Sequence, residues 1–231
     1  MLAGTVAAFL LASAAPTAAD FWEEKEFTTW SPQQVEKMLT DSPWAKKATI
    51  VLGTLREQSA GDGFQSGGAG FGGGGGGPAR DPGDGEFQGV RRITATVAWV
   101  SAPPIRQAVA RRRIGLDAPI MPDQQRELLE AEPSYVVAVV GLPLRVVQGG
   151  TIEEVRDRTA LKPARKAPIK PEDIRVFPDG DQSVRVEFVF PKTDAITLDD
   201  KDVEFVTKMG AADITKKFRL ADMTVRGRLA L

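Results

Sequence analysis

The chain has 231 residues, with 30 lysines and arginines against 31 aspartates and glutamates, a formal net charge of −1. It holds no histidine and no cysteine. These absences exclude His-dependent triads, thiolate nucleophiles, thiolate zinc or iron–sulfur sites and disulfides. A balanced charge speaks against a nucleic-acid-binding domain.

Residues Leu2–Ala15 are nearly all apolar or small, and Thr17 and Ala19 fit a signal-peptidase site before Asp20. Residues 1–19 are therefore expected to be a signal peptide. That run is short for a membrane span, so no integral membrane segment is expected after its removal. The protein is expected to be periplasmic or secreted. With a glycine-dominated stretch at about 57–89 set aside, roughly 180 residues can pack, enough for one α+β domain over 20–231.

Three of the four tryptophans, Trp22, Trp30 and Trp44, fall in the first 25 residues after the signal. Between them lies a short helix. Ser31 is a good N-cap, Pro32 sits at the first helical position, and Gln34 completes a capping box. Val35, Met38 and Leu39 supply an apolar stripe, and Pro43 disfavours helix at Ser42. Thr49–Leu55 reads as a strand and leads into the glycine tract, expected to be a disordered low-complexity insert. Ile93, Ala95, Val97 and Trp99 alternate with Thr94, Thr96 and Ala98, which predicts a second strand over Val90–Val100. The two strands are expected to pair as an antiparallel hairpin, because a long tip adds little closure cost.

Pro103 and Pro104 open a helix to about Arg113, with Arg111–Arg113 at the end where cations complement the dipole and Gly115 as its stop. A second helix starts near Pro122 and is expected to bury Leu128 and Leu129. Tyr135–Val140 reads as an interior strand. Thr151 and Glu154 form another capping box, which predicts helix over Ile152–Leu161. Lys162–Pro171 reads as an exposed connector. Strand patterns at Ile174–Phe177, Val184–Phe190, Lys201–Lys208, Ile214–Leu220 and Met223–Leu231 then predict a C-terminal antiparallel β-meander. The expected fold class is α+β, an antiparallel sheet with three or four short helices.

No pattern brings catalytic groups together. The glycine tract is not followed by the Lys-Ser or Lys-Thr of a phosphate loop. The acidic groups Asp81/Asp84/Glu86, Asp179/Asp181 and Asp199/Asp200/Asp202 lack the spacing of a calcium loop. No metal and no cofactor are therefore expected. Two features suggest binding instead. Trp22, Trp30 and Trp44 offer either a stacking platform for a sugar or a partner's side chains, or a staple that docks a short arm onto the sheet. Arg106 lies near a helix N-terminus, where a cation is unfavourable unless a carboxylate or anion is close.

The run FTTWSPQQVEKMLTDSPWAKKATIVL, with WVSAPPIRQA and KKFRLADMTVRGRLAL, resembles a family of exported bacterial proteins. Members of that family carry a Trp-Ser segment, a short helix and Ser-Pro-Trp-Ala before a strand. The resemblance implies export and one integrated domain, and no activity. The leading expectation is a non-enzymatic binding or structural component of the cell envelope, with an envelope protein or glycan as partner. The alternatives are a histidine-free hydrolase working through two carboxylates and a small-ligand carrier with an apolar pocket.

Overall fold

The computed structural model describes residues 21–52, 91–115, 121–130, 132–180 and 182–231. The signal at 1–19, the glycine-rich insert at 57–89 and the Asp81/Asp84/Glu86 group lie outside the described residues. So does Asp181.

The chain enters through a one-turn helix α1 (Phe21–Glu24), a 3₁₀ turn at Phe27–Thr29 and helix α2 (Pro32–Thr40). The α2 capping box is present: Gln34 N–H donates to Ser31 Oγ at 3.3 Å, and Ser31 N–H donates to Gln34 Oε1 at 2.9 Å. Strands β1 (Ala45–Leu52) and β2 (Arg91–Trp99) follow and pair antiparallel, with Leu52 opposite Arg91. The hairpin is as expected, but β1 starts four residues before Thr49. Ser42 sets that start, since its hydroxyl donates to Met38 O and accepts the Ala45 N–H.

Helices α3 (Pro103–Ile114) and α4 (Pro122–Leu129) come next, then β3 (Ser134–Pro143), α5 (Leu144–Val147) and α6 (Ile152–Asp157). The α6 capping box is present, but the helix is shorter than the pattern predicts. Residues expected to extend it form β4 (Ala160–Pro163), which pairs with β7. Thr159 and Leu161 are fully buried, and the Thr159 hydroxyl meets that of Thr207 at 2.7 Å. Burying Leu161 in a sheet outweighs one more helical turn, and Pro163 would stop that turn anyway. The connector is correspondingly less exposed than expected: Pro163 and Pro171 are buried, while Lys162, Arg165 and Lys170 face water.

The remaining strands are β5 (Asp173–Pro178), β6 (Ser183–Pro191), β7 (Asp202–Met209), β8 (Ala212–Arg219), β9 (Thr224–Val225) and β10 (Arg228–Leu229). The C-terminal region is largely β, and its strands divide between sheets. One antiparallel sheet has the order β1-β2-β3-β6-β5, a second has β4-β7-β8, and β9-β10 form a small hairpin. The fold is α+β, with six helices among the described residues.

The core lies between the two larger sheets. Val97, Trp99, Val137, Val139, Val186, Phe188 and Phe190 meet Val203, Phe205, Ile214 and Phe218 there, all nearly or fully buried. Phe188 and Phe190 both contact the Phe205 ring, and Trp99 meets Phe218 edge-on at 5.9 Å. The opposite face of the large sheet carries a cross-strand row of alanines, Ala45, Ala98 and Ala138. Val136 and Glu187 share that face and line a groove with α3 and α4, so the helices cover it. A register shift between Val139 and Leu142 interrupts β3, and Gly141 takes φ +83° there, as such a bulge requires.

Gly210 tests this packing. It holds the first position of the two-residue β7–β8 turn at φ +51°, and a Cβ on it would lie 2.5 Å from Val146 O of α5. Gly227, at φ +72°, has open space around it. Gly227→Ala should cost about 1 kcal/mol, from backbone strain alone. Gly210→Ala should cost about 2–3 kcal/mol, because backbone must also shift. Urea melts of the two variants check this, and equal losses would mean that the approach of α5 to the turn is unimportant.

Candidate functional site

The aromatic residues of the arm pack on one another. Phe21 meets Trp22 and Trp30 edge-on at 5.0 and 5.2 Å, and Trp22 meets Trp44 at 5.6 Å. All three tryptophans are buried, Trp22 to 7 % exposure, Trp30 to 3 % and Trp44 to none. The indoles therefore dock the arm. They also join it to the far end of the chain. Trp44 Nε1 donates to Ala230 O at 2.6 Å, across 186 residues. Arg226 N–H donates to Glu23 Oε2 and its guanidinium to Glu26 Oε1, both at 2.8 Å. Arg226 (φ +49°) and Gly227 form the turn between β9 and β10, which presents that N–H to the arm.

Where arm and tail meet, they enclose a surface cleft of about 530 Å³. Its walls come from three distant segments: Trp22 and Glu23; Lys37, Asp41, Ser42, Pro43 and Lys46; and Ala221, Asp222 and Thr224. Of the three tryptophans, Trp22 lines the cleft. Among the described residues the Trp22 N–H has no protein acceptor, whereas Trp30 Nε1 donates to Lys25 O at 3.3 Å.

Lys46 is the half-buried cation of the cleft. Its Nζ reaches Lys217 O at 3.3 Å and lies 5.4 Å from the centroid of the Phe218 ring. Burial lowers its pKa; Asp222 opposes that shift, and Lys216 and Arg219 add to it. Asp222 lies 3.7 Å from Arg219. Asp41 and Lys37 are exposed at the rim. Lys46, Lys37, Asp41 and Asp222 were not legible as site residues from motifs. One signal was available: Lys46 shares the strand parity of Ala48 and Ile50, whose side chains are buried. A lysine at such a position has a reason to be there.

Arg106 lies elsewhere. It lines a separate groove of about 470 Å³ between α3, α4 and the large sheet, floored by Val109, Ile114, Leu128 and Val136. Its Nε pairs with Glu132 at 3.2 Å, and its other nitrogens donate to Glu130 O at 2.5 Å and Glu127 O at 2.7 Å. The carboxylate that a helix N-terminal arginine calls for is thus Glu132. The same guanidinium caps carbonyls at the end of α4, where Glu127 O otherwise has only the long 3.3 Å contact from Glu130 N–H. Leu128 is half-buried; the Leu129 side chain lies outside what is described.

Glu187, Asp200 and Asp173 are likewise engaged. Glu187 pairs with Arg185 at 3.1 Å. Asp200, buried, accepts the Thr197 N–H at 2.9 Å and lies 3.5 Å from Lys166. The Asp173 pKa is lowered by the hydrogen bond from Arg175, the opposite of what a general acid needs. Aromatic rings pack in the space between the sheets.

Arg106→Met should lower stability by about 1–2 kcal/mol, and Arg106→Lys should not restore it, because a point charge cannot replace the fork. Hydrogen exchange should be faster in α4 while β6 is unaffected. Uniform exchange in α4 would mean that Arg106 does not hold it. Comparison of the chain with known protein families, with curated proteins and with solved structures gave no match.

Proposed function

We propose that this protein is an exported, non-enzymatic binding component of the bacterial cell envelope, and that its ligand is an envelope glycan. The cleft between arm and tail carries this reading. It joins the edge of one indole, that of Trp22, to charged and hydroxyl side chains, a mixture suited to polyhydroxylated rings. It is fixed by contacts spanning most of the chain, so its walls are preorganised and little ordering cost falls on binding. Of the carboxylates beside it, Glu23 holds the Arg226 N–H and Asp41 is exposed at the rim. Export rests on the signal-like residues 1–19 and on the resemblance to exported proteins.

Fractionation and sedimentation test both halves. Protein recovered from the periplasm or medium should begin at Asp20 by mass spectrometry. It should co-sediment with insoluble cell-wall polysaccharide. Asp41→Asn, an exposed change that spares the fold, should weaken that retention several-fold. A cytosolic protein retaining Met1 would refute export. Failure to sediment with wall material, or capture by mild crosslinking on a protein alone, would refute the glycan.

A further inference from the structure

We infer that the cleft takes a carboxylated saccharide, with the carboxylate seated on Lys46. This rests on the glycan-binding reading above and narrows it to one ligand class.

The argument starts from the ammonium. Lys46 leaves β1 on the parity of Ala48 and Ile50 and turns its head along Phe218 into the cleft. An ammonium carries three N–H donors. Among the described residues one is used, on a long 3.3 Å contact to Lys217 O. Of the acids around it, Asp222 acts on Lys46 through its charge but, among the described residues, makes no hydrogen bond to it, and the others have partners of their own. Asp202 binds Lys217 at 2.9 Å, Asp222 lies with Arg219, and Glu23 holds the Arg226 N–H. A half-buried cation short of acceptors favours an anion that brings its own oxygens.

The remaining charges of the cleft do not cancel that preference. Lys37 and Asp41 are exposed, and water and salt screen them. The same charge acts more strongly where water is partly excluded, so Lys46 decides the sign of the ligand. The other walls fit a sugar ring carrying that carboxylate. Trp22 gives an apolar edge, Asp41 can accept ring hydroxyls, and Thr224 can exchange hydrogen bonds with them.

The test compares an acid with its own neutral form. Trigalacturonate, its methyl ester and neutral chitotriose are titrated into the full chain by calorimetry and tryptophan fluorescence. Trigalacturonate should bind at least about tenfold more tightly than the ester, and the difference should shrink as salt rises. Lys46→Gln should abolish that difference, and Lys46→Arg should keep most of it. Equal binding of acid and ester by the native chain overturns the inference and leaves the glycan reading standing. An unchanged preference in a folded Lys46→Gln protein does the same. If no saccharide binds and wall polysaccharide is not retained, both fall together.

Discussion

A part-buried hydrogen bond, from the Trp44 indole to the Ala230 carbonyl, anchors the junction at which the two ends of the described chain meet. A chain without cysteine cannot staple itself covalently. Here the same end is met by packing. Trp22 leans on Trp44, Trp44 holds the tail, and the tail's turn holds Glu23 and Glu26. Removing Trp22 or Trp44 leaves an indole-sized void, which is expensive, whereas the contacts of Arg226 to Glu23 and Glu26 are exposed and contribute less. The cleft exists because this clasp is closed.

The layout of charge follows from the same economy of burial. Arg106, Lys192 and Lys166 each reach backbone carbonyls at element ends or in loops. Arg106 caps α4, Lys192 donates to Glu132 O while lying over the Tyr135 ring, and Lys166 donates to Ala195 O. Burial lowers the Lys192 pKa, against which the Glu132 charge acts. Many of the half-buried cations thus work as braces. Lys46 stands apart, since its carbonyl contact is long and its cleft is open.

Local chemistry was legible in the sequence wherever one residue type has one use. The capping boxes at Ser31 and Thr151 and the alternation through β2 and β6 all read correctly. What failed to read was set by distant partners. The stretch after Asp157 looks helical until Thr159 and Leu161 find β7. The C-terminal strands look like one meander because alternation reports a buried face and not which sheet supplies it. The tryptophan arm offered two uses, and burial against the tail could not be seen from residues 186 positions apart. The site was the least legible part. Its lysines and acids are common residues, and only the fold gathers them.

The β1–β2 hairpin has a further consequence. Leu52 and Arg91 face each other in register, so the two anchors of the segment between them stand side by side. The closure cost of a loop grows only with the logarithm of its length. This edge of the molecule is therefore a natural port. A fluorescent reporter or a second binding module could be spliced in there and carried by the domain, leaving the cleft at the junction of arm and tail as it was.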